Sequence, residues 1–241
     1  MILAIDSGNT RIKWGLGELR ASAGTAQWRR IGTATHSEAS RLREEWAAMA
    51  RPEKVVIANV AGEAARAPLE QALACCATTA HWITAQASQC GVTNGYLQPS
   101  QLGSDRWAAL IGAWHLHRGA SLVVTAGTAT TVDMLGATGV FRGGIILPGL
   151  DLMKKSLAEN TAGLPLAKGE YAEEPRSTPD AIESGCVHAQ AGAIERMYSR
   201  LEPGAVCFLS GGAALRIAGR LDLPVRVVEN LTLEGLLRIA Q

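Results

Sequence analysis

The sequence predicts a duplicated α/β domain, and three observations carry that prediction. Each half of the chain opens with three apolar runs separated by glycine-bearing turns and followed by a helical pattern. The first turn of each half repeats one local motif: apolar residues, a polar residue, then x-Gly-Asn/Thr, as AIDSGNT early on and VVTAGTAT later. Asp6 and Thr125, which hold matching positions, are separated by about half of the 241-residue chain.

In the first half, strands are expected over 2–5 and 11–16, with a third near 27–32. Ser37 is expected to cap a helix rich in Ala, Glu and Arg that stops before Pro52. KVVIANV is a near-continuous apolar run with β-branched residues, as expected for a buried strand. A helix over 63–76 and a short strand in HWIT complete the order β-β-β-α-β-α-β. The second half gives strands in SLVVTA, TTVDML and VFRGGIIL, the first two joined at Gly127. A helix over 150–159 and a loop rich in Pro and Glu come next. Thr178 and Pro179 then have the types of a cap and first residue for a longer helix. AVCFLS, a glycine pair, a helix, VRVVE and a last helix close the series. The expected domains are therefore 1–118 and 119–241.

Composition narrows the function. With 47% hydrophobic and 19% charged residues, the chain supports a packed core rather than a disordered tail. A formal charge of +1 gives no global attraction for nucleic acid. No run approaches the roughly 18 apolar residues needed to span a bilayer, and no basic segment precedes the first apolar run, so neither a membrane anchor nor a signal peptide is expected. Cys75, Cys76, Cys90, Cys186 and Cys207 form an odd set without CxxC spacing. That usage suits reduced, mostly buried thiols in a cytoplasmic protein.

The two turns suggest chemistry. A glycine in a tight turn lets backbone N–H groups approach an anion, and Asn9 and Thr10 add neutral donors. Asp6 has the wrong charge to touch a phosphate, but it suits Mg²⁺ that neutralises one. Lys13 on the following strand can reach toward the same phosphates. The alternative is a type I′ turn in which Asp and Asn are chosen for geometry alone. A Walker-type site is excluded, because GxxxxGK[ST] is absent. A third motif, GSDRWAALIGAW, opens a helix with Asp105 and Arg106 in its first turn. Asp105 there either caps the helix or accepts a hydroxyl proton as a phosphoryl group arrives. Arg106 offers a planar fork for a carboxylate or phosphate.

Together DSGNT, GSDR, AGTATTVD, GGIILPGL and SGGAA resemble, in order and spacing, the type III pantothenate kinases. Those belong to the superfamily of acetate and sugar kinases, heat-shock ATPases and actin. The resemblance implies duplicated RNase H-like domains, mixed sheets flanked by helices, and transfer of the ATP γ-phosphoryl group to pantothenate with Mg²⁺. It implies a first phosphate loop of Asp6, Ser7, Gly8, Asn9, Thr10, Arg11, Ile12 and Lys13, with Asp6 near the metal. Thr128 would lie in the second phosphate loop, and Gly211 and Gly212 beside the adenosine. Tyr96, Gly103, Ser104, Asp105 and Arg106 would line the pantothenate pocket, with Asp105 as proton acceptor. Thr178 would reach pantothenate across a homodimer interface. The family pattern has an aspartate at Thr125 that binds K⁺ or NH₄⁺, so the neutral threonine weakens or reshapes that cation site. Two alternatives accompany the resemblance: a superfamily kinase with another small acceptor, and a nonenzymatic accessory regulator. Asp6 and Asp105 are both kept, which argues for an enzyme, and no DNA-reading helix is evident.

His115 and His117, two apart on a helix, face different ways and make a poor metal pair. Trp107 and Trp114, seven apart, suit core or dimer packing, and RLREEW suits a solvated helix face.

Overall fold

The computed structural model describes residues 1–19, 26–166 and 168–241. They form two compact units, one of Met1–Arg118, Gly139–Phe141 and Asn230–Gln241, the other of Gly119–Thr138 and Arg142–Glu229. In the first unit β1 (Ile2–Ser7), β2 (Ile12–Leu19) and β3 (Ala26–Ala34) form an antiparallel meander. Then come α1 (Ala39–Ala47), β4 (Lys54–Asn59), α2 (Glu63–Leu73) and β5 (Ala80–Trp82). The sheet order is β3-β2-β1-β4-β5, with β1 parallel to β4. A small hairpin, β6 (Ser88–Gln89) and β7 (Val92–Asn94), precedes α3 (Ser104–Leu116).

In the second unit β8 (Ser121–Ala126) and β9 (Ala129–Leu135) form a hairpin, and β10 (Val140–Pro148) follows. The first residues of β10 lie in the first unit, where Val140 and Phe141 pair with Thr93 and Asn94 of β7. Next are α4 (Leu150–Asn160), α5 (Thr178–Tyr198), β11 (Val206–Ser210), α6 (Ala214–Ala218) and β12 (Val225–Val227). Here β12, β11, β8, β9 and β10 are successive neighbours. The last helix, α7 (Leu231–Ile239), packs in the first unit.

Strand alternation decides what each face of the first sheet meets. Leu3, Ile5, Val55 and Ile57 pack with Leu42 and Trp46 of α1 and Leu69 and Leu73 of α2. Their neighbours Ala4, Val56 and Ala58 pack instead with Ala108 of α3 and Leu233, Leu236 and Leu237 of α7. Both faces are therefore covered, which explains the apolar continuity of KVVIANV. Small side chains on the second face let two helices lie close. A Cβ on Gly235 would overlap the Ala108 carbonyl, and one on Gly112 would crowd Leu231. Fully burying a side chain such as Leu236 contributes roughly 1.5–3 kcal/mol. In the second unit Leu122, Val124, Val132, Cys207 and Leu209 of the sheet pack against Leu150, Ile182 and Ile194 of the helices.

Local differences from the expectation concern caps and short elements. Ser37 does not cap α1. The chain enters through a 3₁₀ turn at His36–Glu38 whose leading residue is Thr35. Glu38 closes that turn by accepting the Thr35 N–H at 2.7 Å. Thr178 is likewise not a cap; it is the first residue of α5, because Ser177 takes the extended conformation and its Oγ accepts the Asp180 N–H at 3.3 Å. The helix expected over 63–76 is α-helical only to Leu73 and ends as a 3₁₀ turn before Ala77, whose φ is +47°. Hairpin β6–β7 was not anticipated.

Trp107 is fully buried and Trp114 nearly so, both in the core of the first unit. Cys76, Cys186 and Cys207 are buried thiols, Cys75 and Cys90 are partly buried, and all five are unbridged. Among the described residues no helix is long and apolar enough to cross a membrane.

Candidate active site

The alternation that buries Ala4 against α3 also aims Asp6, two residues on, at the same side of the sheet. Lys13 is its direct cross-strand partner on β2. Asp105 stands in the first turn of α3, behind Gly103 as the capping position. The two carboxylates interact. Burial and then the Asp105 charge push the Asp6 carboxyl up to about 7, while Lys13 pulls it back. Burial also raises the Asp105 carboxyl, opposed by the Arg106 N–H that donates to its Oδ1 at 2.7 Å and by the Arg106 charge.

The turn after β1 is held by backbone bonds. Gly8 N–H donates to the Arg11 carbonyl at 3.1 Å, and Val60 N–H donates to the Ser7 carbonyl at 3.0 Å. His36 Nε2 donates to the Gly8 carbonyl at 2.7 Å, a contact the sequence did not suggest. Among the described residues Gly8, Asn9 and Thr10 have no positive φ, so the type I′ alternative is excluded. Asn9, Thr10 and Arg11 are exposed, whereas Ser7 is buried with its Oγ unpartnered. Ile12, paired with Ser7, is core, so of this segment it offers a ligand only its backbone.

Beside Asp105 a second group assembles. Arg106 is only 7% exposed. Its Nη1 donates to the Tyr96 hydroxyl at 3.1 Å, and its guanidinium lies over the Tyr96 and Phe141 rings at 5.7 and 5.9 Å. Asn94 shapes the intervening loop, accepting the Tyr96 N–H at 3.0 Å and donating to the Pro99 carbonyl at 3.2 Å. Ser104 Oγ donates to the Asn59 carbonyl at 3.4 Å, which fixes the start of α3 to the end of β4. Tyr96, Gly103, Ser104, Asp105 and Arg106 thus form one cluster. Phe141, Asn94 and Asn59 belong to it without any local motif to announce them.

In the second unit the turn between β8 and β9 is approached by two glycines. Gly127 N–H donates to the Ala129 carbonyl at 3.0 Å, and Gly149 N–H donates to the Thr128 carbonyl at 2.9 Å. A Cβ on Gly149 would overlap the Gly127 carbonyl. Gly211, at φ +99°, lies so close to the Ala126 backbone that only glycine fits. Thr128, Gly211 and the open Gly212 are therefore gathered at one end of this sheet, with Thr125 partly buried on β8 between Thr131 and Ser210. Thr178 is exposed on α5 and hydrogen-bonds to none of them.

Asp6 fits a divalent cation. A buried acid whose proton affinity is raised by burial and by a neighbouring carboxylate is what a divalent ion relieves, and no group of three or more His, Cys, Asp or Glu forms around it among the described residues. Mg²⁺ commonly takes one or two carboxylates and completes its shell with water and substrate phosphates.

A family model for type III pantothenate kinase matches residues 2–200. The chain belongs to the type III pantothenate kinase family. It is 53% identical to the type III pantothenate kinase of Aromatoleum aromaticum, over 100% of this chain and 98% of the relative. It is 50% identical to that of Dechloromonas aromatica, over 100% and 99%. Among solved structures, a Campylobacter jejuni protein described as a Baf family transcriptional activator superposes with a TM-score of 0.65 at 20% identity, covering 98% of this chain and 96% of that one. A Sinorhizobium meliloti protein described as a 2-dehydro-3-deoxygalactonokinase gives 0.60 at 14% identity, covering 98% and 97%. These show the fold, a mixed α/β architecture with mixed sheets flanked by helices.

In this type III pantothenate kinase family member, Gly103 keeps Asp105 in place. A Cβ there would sit 2.6 Å from Asp105 Oδ1, a flexible end that can turn away without disturbing the backbone. Gly103→Ala is expected to lower turnover about tenfold or more while shifting the melting temperature by only a degree or two. Steady-state kinetics beside thermal denaturation check this; full turnover in the variant would disprove the positioning.

Proposed function

We propose that this chain transfers the γ-phosphoryl group of ATP to the primary hydroxyl of pantothenate, giving 4′-phosphopantothenate in the first step of coenzyme A synthesis. The observation that carries the reading is the coupled Asp6–Asp105 pair, flanked by the Arg106–Tyr96 cluster. Asp6 is the metal-side acid. Ser7, Gly8, Asn9, Thr10, Arg11, Ile12 and Lys13 surround the phosphates with backbone and side-chain donors. Thr128 serves the nucleotide's phosphates, with Gly211 and Gly212 at its adenosine.

Arg106 and the Tyr96 hydroxyl orient pantothenate, Arg106 through its carboxylate, with Gly103 and Ser104 as the wall of the pocket. Asp105 accepts the hydroxyl proton. A loose transition state needs little base strength, so the transfer is late and Asp105 acts chiefly by holding the nucleophile in line. Asp6 would hold Mg²⁺, which would supply charge neutralisation for the phosphates. No covalent phosphoenzyme is required. Thr178, exposed on α5, reaches pantothenate across a homodimer interface, and the reaction belongs in the cytoplasm.

An ADP-release assay with and without pantothenate tests the reading. Pantothenate-dependent release supports it, and release only with another alcohol would move the chain to a different acceptor. Neutral oxygens around Thr125 would hold a monovalent cation that supports the reaction. Activity is expected to rise as K⁺ replaces Na⁺ at constant ionic strength, and a flat titration rejects this part.

A further inference from the structure

The second unit carries a charge network that phosphoryl transfer itself does not use. Arg216 of α6 donates from Nη2 to Glu183 of α5 at 2.7 Å and from Nη1 to Asp151 of α4 at 3.0 Å. Lys154 of α4 donates to the other Glu183 oxygen at 2.9 Å and lies 3.5 Å from Asp151. The Glu183 and Lys154 side chains are only 10% and 14% exposed. Burial alone would raise the Glu183 carboxyl. Hydrogen bonds from Arg216 and Lys154 outweigh it and hold the group ionised, below its ordinary range.

Such a network is a costly way to stabilise a fold, because desolvation offsets much of the attraction. Apolar packing already joins the same helices through Leu150, Ile182, Ala214 and Ile217. What satisfied ion pairs add is a single geometry. The elements they fix are informative. Asp151 follows closely on Gly149, which bonds to Thr128 and lies against Gly127. Arg216 sits on the helix that follows Gly211 and Gly212, and Ala213 N–H donates to the Ala126 carbonyl at 3.1 Å. The Arg216–Asp151 pair therefore joins two segments packed against residues 126–128, and Glu183 anchors it by bonding to both Arg216 and Lys154.

We propose that Arg216 and Glu183 are positioning residues for ATP, locking the turn at Gly127–Thr128 to the Gly211–Gly212 turn so that the second unit presents one preformed nucleotide surface. This rests on the assignment of Thr128, Gly211 and Gly212 to the nucleotide. Arg216→Lys keeps the charge and loses the fork that spans two carboxylates. Its KM for ATP and its dissociation constant for ADP, measured by calorimetry on the full chain, are expected to rise about tenfold. The KM for pantothenate, kcat and the melting temperature stay within about twofold or two degrees. Glu183→Gln should give the same split, larger in size. A Thr128→Ala variant is measured alongside. If it weakens ADP binding while Arg216→Lys does not, the positioning role is wrong and the nucleotide assignment stands. If neither weakens ADP binding, the assignment falls and the positioning role with it. Parallel loss for both substrates with a lowered melting temperature would make the network purely structural and overturn the proposal.

Discussion

Asp105→Asn lowers turnover by about 10²-fold or more and leaves ADP binding within about twofold. The amide is nearly isosteric and still accepts the Arg106 N–H that orients the side chain at 2.7 Å, so the start of α3 is undisturbed. What disappears is the capacity to take a proton. Because Asp105 also raises the proton affinity of Asp6, the substitution has a second signature. The Asp6 carboxyl should titrate below about 7 in the variant, and Mg²⁺ should bind more tightly at pH 6 than in the parent chain. Single-turnover kinetics and an ¹⁵N/¹³C titration of Asp6 check the two effects. Unchanged turnover removes Asp105 from catalysis, and an unmoved Asp6 titration removes the coupling.

Asp6→Asn moves activity and stability in opposite directions. Loss of the carboxylate proposed to hold the divalent cation is expected to reduce turnover by about 10²–10³-fold. Stability of the metal-free protein should instead improve at alkaline pH. In the folded chain Asp6 protonates at about 7, against an ordinary 3.8. The native state therefore holds a proton that the unfolded chain has lost. Stability falls as pH rises from about 4 to about 7, and the penalty is fully present above that range. After allowance for partial exposure it is on the order of 2–3 kcal/mol. Urea denaturation in chelator at pH 5 and pH 8 should show this decline in the parent and a smaller one in Asp6→Asn. Equal slopes would refute the buried-acid account. Calorimetry in buffers of different ionisation enthalpy should also find proton release when Mg²⁺ binds near pH 6.

The turn after β1 was legible because its cause is local. Two apolar strands of period two, joined through Gly8, leave few alternatives for 2–16, and the register that pairs Asp6 with Lys13 follows from the hairpin. Asp105 was legible for a similar reason, since a carboxylate just after Gly-Ser announces a helix start. Adjacent polar residues were harder. Thr35, Ser37, Ser177 and Thr178 all have capping side chains, and which one caps depends on the φ and ψ of the incoming chain. Hairpin β6–β7 was invisible because two- and three-residue strands carry no period.

By itself the sequence determined the duplicated α/β pattern, the two glycine turns and the acids that make a phosphotransferase reading possible. Each depends on residues within a few positions of one another, where backbone sterics and side-chain periodicity act directly. The tertiary structure alone decided that α7 closes the first unit over Ala108, that Phe141 and Asn94 frame Arg106, and that Arg216 and Glu183 meet. It also decided that Asp6 feels Asp105. Those are contacts between residues far apart in the chain. Their energies arise from desolvation and close packing, which exist only once the surrounding elements have assembled.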